Sequence, residues 1–375
     1  MAKQFDNKIA DSQATEVTPV RPKDFDFDKY EAYAAGLNKG CAAFWQKKSG
    51  VMVYRRMRVA ECFSFGSRDM RRSLELQLGA LEKSMLYKAD VPNFLEPWYG
   101  IGTIAGAYGG DYIWLEGQAP ALKPQFSSID EILAYEPEEV AKTPIGRHTL
   151  DMIEYFMEKT KGRIPVSLTD TQSPLNMVGH LYPLDQFFMD TIMEPEKVLQ
   201  LFDRLAGLSI EFNKEQLKLI GSALASPGHG FASSTAWKGL GMSDDNAIMI
   251  SPGQYIELAA PSVEKICTPL GGPVFHSCGD WAGWVDTVLQ LKGLKMADGA
   301  FSSQTDPGAN TDLEAFHQFA NTGVVLNARI VGDIETIREQ LSRLWVPGMK
   351  MVVVTYCETP AEQEEAYHII HEICR

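Results

Sequence analysis

The feature that most narrows what this chain can fold into is a recurring unit. A short β-rich run is followed by a polar or glycine-containing turn and then by an amphipathic stretch with helical period. In the C-terminal half the unit repeats in succession. "GGPVFHSC" leads into "WAGWVDTVLQLKGL", and "KMADGAFSS" into "TDLEAFHQFANTG". "VVLNARIVG" leads into "DIETIREQLSRLW", and "MKMVVVTYC" into "TPAEQEEAYHIIHEIC". Asp333 reads as a helix N-cap, and Thr359 followed by Pro360 as a cap with proline at the first helical position. Upstream, "VMVYRRMR", "VPNFLEP", "RIPVSLTD" and "GHGFASS" bring the strand candidates to eight. Alternating β and α units predict a parallel sheet, and eight of them predict a (β/α)8 TIM barrel, fold class α/β. An open doubly wound sheet is the alternative, but no G-x-G-x-x-G follows the first strands.

The segment "GDYIWLEGQAPALKPQFSSIDEIL" is too long for a tight βα loop and is expected to form an excursion over the barrel mouth. Residues 1–25 carry few aliphatic side chains and read as a flexible N-terminal arm, leaving 26–375 for a single barrel domain. The formal net charge of −14 argues against non-specific nucleic-acid binding, which needs a basic footprint. No apolar run is long enough to span a bilayer, and the opening "MAKQFDNKIADSQATEV" lacks the apolar segment of a secretory signal. Six cysteines without regular spacing point to a reducing compartment, and so to a cytoplasmic protein.

In such barrels the chemistry collects where strands end. His276 and Cys278 close the fifth strand candidate and Cys357 the eighth. Residues two apart on a strand share a face, so His276 and Cys278 can grip one ion. One imidazole and two thiolates suit zinc, with a fourth position left open. A His-x-Cys pair also arises by chance, and buried cysteines are most often packing, the role assigned to Cys41, Cys62, Cys267 and Cys374. Glu96, Asp170 and Asp244 lie at or after strand ends as candidate catalytic groups, with turn capping as the plainer role. Asp245 shares the Asp-Asp-Asn cluster of Asp244. Gln304 and Arg329 fall near strand ends six and seven, and Arg329 can hold a carboxylate or sulfonate or simply pair with an acid. Trp98, Tyr99 and Trp237 are expected at the mouth as an aromatic rim for substrate. Trp281 and Trp284 read as core packing behind the fifth strand.

"MSDDNAIMISPGQYIELAAPSVEKI", "PVFHSCGD", "LNARIVGDIETIREQL" and "MVVVTYCETP" together resemble the uroporphyrinogen decarboxylase superfamily. The resemblance is closest to the branch of methylcobamide:coenzyme M and related corrinoid-dependent methyltransferases. It runs with gaps from about residue 50 to the end and implies a (β/α)8 barrel. In that branch a His-x-Cys pair and a late cysteine bind zinc, which carries over to His276, Cys278 and Cys357. The resemblance also implies a corrinoid (methylcobamide) cofactor on a corrinoid-binding partner protein, a thiol-type methyl acceptor and, at family level, a homodimer. The chain departs from the decarboxylases. Where they carry "RQAGRY" it has "YRRMRVAECFSFGSR", and Glu96 stands near the position of their strand-two aspartate. The expected activity is therefore zinc-dependent methyl transfer between a corrinoid and a thiol. A decarboxylase and a non-catalytic corrinoid-binding barrel are the alternatives.

Overall fold

The computed structural model describes residues 13–63, 65–97, 101–114, 121–228 and 230–375. Its strands are β1 (Gly50–Arg55), β2 (Tyr112–Ile113), β3 (Ala121–Leu122), β4 (Leu240–Ser243), β5 (Pro273–His276), β6 (Met296–Ala300), β7 (Val325–Ile330) and β8 (Lys350–Thr355). Six of them form one sheet in the order β1-β8-β7-β6-β5-β4, with every pair parallel. The first and last strands lie side by side, Gly50 to Arg55 in register with Lys350 to Thr355. A doubly wound sheet keeps its first strand central, whereas a sheet curling on itself joins first to last.

Between β4 and β1 the ring continues through short contacts. Leu95 bridges Val166, and Val166 bridges Leu224. The Asp90 N–H donates to the Val53 carbonyl at 2.8 Å, and the Gly241 N–H to the Pro227 carbonyl at 3.0 Å. The fold is α/β, a (β/α)8 barrel with one irregular arc.

That arc corrects one expected strand. "GHGFASS" is not the fourth strand; β4 follows it at Leu240–Ser243. The chain turns back instead, pairing Ser226 with Ser234 antiparallel. Gly228 and Gly230 sit at φ +115° and +83°, where side-chain-bearing residues are disfavoured and an extended run is broken. His229 lies outside the described residues.

Period-two alternation splits the sheet between two cores. Met351 and Val353 of β8 face the outer helices with Leu341, Ala366 and Ile370. Val352 and Val354 join Met52, Tyr54, Val274, Met296 and Val325 inside the barrel. All six residues of β8 are buried because a parallel strand is covered on both faces. The Phe27–Gln46 helix closes the barrel at the end where strands begin. Its Phe44 joins the interior cluster, and Lys350, the first residue of β8, donates to the Trp45 carbonyl at 2.9 Å.

Trp237 belongs to that closed end, not to the mouth. It is buried, stacks on Trp45 at 5.5 Å and donates its indole N–H to the Cys41 carbonyl at 2.9 Å. The rim role expected for it is corrected to core packing, since a large amphipathic ring is buried when its N–H finds an acceptor. Trp281 is fully buried against Phe275 and Phe316, as expected. Within the long excursion segment β2 and β3 pair antiparallel, Tyr112 opposite Leu122. None of the described helices is long and apolar enough to cross a membrane.

Candidate metal and substrate site

Register builds the site. His276 ends β5, aligned with Ser243 on β4 and with Asp298 on β6, and Asp298 is aligned with Asn327 on β7. Side chains at one level of neighbouring parallel strands share a face, so these four form a polar row. The His276 Nδ1–H donates to Asp298 Oδ2 at 2.6 Å. Asn327 Nδ2 donates to Asp298 Oδ1 at 2.5 Å, and Arg329 Nε donates to Oδ2 at 2.9 Å. Ser243 Oγ extends the row by donating to Asp170 Oδ2 at 2.8 Å.

The row fixes charge as well as orientation. Burial alone would lower the His276 pKa. The neighbouring Cys278 sulfur and the hydrogen bond to Asp298 outweigh it and hold the imidazole well above its ordinary value. Burial alone would raise Asp298, but the Arg329 guanidinium and His276 hold it below the usual carboxylate range. The buried acid is thus ionised, with the Arg329 guanidinium beside it as counter-charge.

With Nδ1 committed to Asp298, His276 Nε2 points to Cys278 Sγ at 3.4 Å and to Asp245 Oδ1 at 3.6 Å. The three ligand atoms lie within 4.8 Å of one another. Asp245 is itself fixed: Oδ1 accepts the Cys278 N–H at 2.8 Å and Oδ2 accepts from Asn176 Nδ2 at 3.0 Å. Zinc bonds of about 2.0–2.3 Å at tetrahedral angles put neighbouring ligand atoms about 3.3–3.6 Å apart. The His276–Cys278 and His276–Asp245 separations fit that spacing, and the carboxylate behind His276 is the partner that metal-bound imidazoles carry. The donor set therefore fits zinc.

The cluster opens into a cavity of about 160 Å³, lined among others by Gln13, Arg56, Arg58, His276, Cys278 and Arg329. Arg329 Nη2 is buried without a hydrogen-bond partner among the described residues. Arg56 pairs with Glu96 at 3.5 Å, both side chains being about nine-tenths buried. Burial would lower the Arg56 pKa, but Glu96 and nearby phenols raise it, so the guanidinium stays charged.

The expected site residues distribute unevenly. His276, Cys278 and Arg329 meet in one cavity. Glu96 reaches it through Arg56, and its Oε1 also accepts the N–H of Gly230, another residue of the lining, at 3.2 Å. Asp170 supports Ser243 from behind while accepting the Gln172 N–H at 2.9 Å. Asp244 turns away, accepting from Ser173 Oγ at 2.6 Å and from the Tyr255 hydroxyl at 2.8 Å; burial pushes its carboxyl up to about 6. Gln304 and Cys357 line a separate cavity of about 370 Å³. Cys357 is buried, and its carbonyl accepts from Arg55 Nε at 2.8 Å. Asp245 joins His276 and Cys278 in the cluster, and Cys357 is not among its three residues. Trp98 and Tyr99 lie outside the described residues.

Four contributing residues were not singled out by the sequence. Asp298 had a signal: a lone acid inside the apolar run "MADGA" must be paired if the strand is buried. Arg56 and Arg58 were visible only as a missing family motif. Gln13, in a segment without periodicity, had no signal.

A (β/α)8 barrel with a histidine–thiol–carboxylate cluster and three arginines around a cavity at its strand ends has the architecture of a barrel enzyme. The profile of the family described as "Uroporphyrinogen decarboxylase (URO-D)" matches residues 95–350, and the chain belongs to that family. Among solved structures it is similar to a "methyltransferase from Methanosarcina mazei", with 14% identity and a TM-score of 0.62 over 90% of this chain and 98% of that chain. No curated protein matches the sequence.

Proposed function

We propose that the chain is a zinc-dependent methyltransferase that moves a methyl group between a corrinoid, carried by a separate corrinoid-binding protein, and a thiol acceptor. The observation that carries this reading is the His276–Cys278–Asp245 cluster at the strand ends, with Nε2 at zinc-ligand spacing from both Sγ and Oδ1. Cys357 is the remaining candidate ligand, and taking part would require it to move from its own cavity. His276, Cys278 and Asp245 would hold the zinc, which would supply thiolate chemistry near neutral pH, where a free thiol of pKa about 8.5 is mostly protonated. The rest is done by the chain. Asp298 locks the His276 ring so that Nε2 faces the cavity, and Arg329 keeps Asp298 ionised. Arg56, Arg58 and Arg329 favour an acceptor with an anionic end.

Elemental mass spectrometry of the purified protein tests this. The wild type should carry about one zinc per chain, and Cys278→Ala and Asp245→Asn should lose it. Cys357→Ala decides whether that thiol joins the site. Zinc content unchanged in Cys278→Ala and Asp245→Asn would sink the reading. Methylcobalamin and a panel of small thiols then supply the activity assay.

The arginine-lined cavity specifically favours a second reading, a metal-independent decarboxylase acting on a carboxylate-bearing substrate, as the family description allows. Turnover of a tetrapyrrole carboxylate by metal-free protein would select it.

A further inference from the structure

The segment Gln13–Val20 is tied down along its length. Ala14 forms a parallel bridge with Arg58, and the Thr15 N–H donates to the Arg58 carbonyl at 2.7 Å. Arg55 Nη2 reaches Thr15 Oγ1 at 3.4 Å. Lys83 Nζ donates to the Glu16 carbonyl at 2.8 Å, and the Val20 N–H to the Glu75 carbonyl at 2.8 Å. The Met70–Ser84 helix has a notch for this run: a Cβ at Gly79 would lie 2.0 Å from the Thr18 carbonyl oxygen. Only glycine at 79 lets the two backbones lie that close.

What the anchoring holds in place is Gln13. Its Nε2 donates at 2.7 Å to the carbonyl of Thr305, in the loop after β6, while its chain neighbour Ala14 stays paired with Arg58 beyond β1. In the sheet β1 and β6 are separated by β8 and β7. Gln13 therefore spans the cavity edge from one strand end to another and lines the same space as His276 and Cys278. We propose that Gln13–Thr15 is a fixed wall of this cavity and that Gln13 is a specificity-determining residue, limiting the bulk of what reaches Cys278. As specificity for a reaction, this rests on the cavity being the active site; as a wall, it stands alone. The segment lies outside residues 95–350, the span matched by the family, so the selection is set by a part of the chain that the match does not include.

Cys278 is an internal reporter, because it is exposed while the other five cysteines are buried. The experiment uses the full chain and measures labelling at the Cys278 peptide by N-ethylmaleimide and by fluorescein-5-maleimide, which share chemistry and differ in size. The ratio of bulky to small rates cancels anything that shields the sulfur equally from both. Gln13→Ala removes the span without touching a core, and Gly79→Ala displaces the segment from the far side of the helix. Both should raise the ratio by about 5-fold or more, as expected when a packed wall opens. Ratios equal to wild type in both variants overturn the proposal. The labelling result is read whether or not the chain transfers methyl groups, so failure of the wall and failure of the methyltransferase reading remain distinguishable.

Discussion

At the scale of single residues, Asp298 carries the most consequence. It is 1% exposed and accepts from His276, Asn327 and Arg329. Replacing it by Asn leaves the Arg329 charge buried without its acid, which should cost about 3–5 kcal/mol in urea unfolding. The same change frees the His276 ring and should weaken zinc binding about 10–100-fold, measured by competition with a chromogenic chelator. Cys357 gives a pH prediction. Burial pushes its thiol up to about 11, while Arg55 pulls the other way. Its pKa is raised on folding, so its contribution to stability is full below the unfolded thiol's pKa of about 8.5 and is lost as pH climbs toward 11. Because the thiolate is the nucleophile, carbamidomethylation at Cys357 in metal-free protein should rise about tenfold per pH unit through neutral pH and flatten only near 11. A rate that flattens near pH 8.5 would show an ordinary thiol.

At the scale of elements, the boundaries were legible where local chemistry sets them. Asp333 caps its helix by accepting the Thr336 N–H, and Thr359 caps the next with Pro360 at its first position, as the sequence predicts; Glu362 adds a reciprocal capping box. Elements were illegible where a tertiary contact decides. "WAGWVDTVLQLKGL" reads as a helix, yet only short turns form over Ala282–Trp284 and Val285–Val288, with Trp281 buried beneath them. "GHGFASS" reads as a strand, yet its glycines turn it back. Gly272, just before β5, is the element-scale test. Its φ is +131° and a Cβ would meet the Gly293 carbonyl oxygen at 2.1 Å. Gly272→Ala should cost roughly 1–3 kcal/mol of stability, and because it shifts the strand that ends in His276 it should also reduce zinc content. A variant as stable as wild type would show that β5 yields freely there.

At the scale of the whole molecule, the ring depends on its irregular arc, where ladders give way to single bridges. Asp90 fastens one seam. Its Oδ2 accepts the Val53 N–H at 2.8 Å and His371 Nε2 at 2.9 Å, and its Oδ1 accepts the Tyr367 hydroxyl at 2.8 Å. That carboxylate ties β1 to the segment after the Met70–Ser84 helix and to the C-terminal helix. Asp90→Ala should lower unfolding free energy by about 2–4 kcal/mol, more than one exposed pair is worth. It should also speed amide exchange in β1 ahead of β6, which lies mid-ladder.

The sequence by itself determined the strand–helix repeat, hence the barrel, and the placement of His276, Cys278 and Arg329 at strand ends. These follow from periods of two and 3.6 residues, which are local properties. Tertiary structure alone decided which distant groups meet. Strand register set His276 against Asp298, a turn after β4 put Asp245 beside His276 and Cys278, and the glycine notch at 79 laid Gln13 along the cavity. Each choice depends on how far one strand is displaced along its neighbour or how closely two backbones approach. No local period encodes those distances, because they are fixed only when the elements pack.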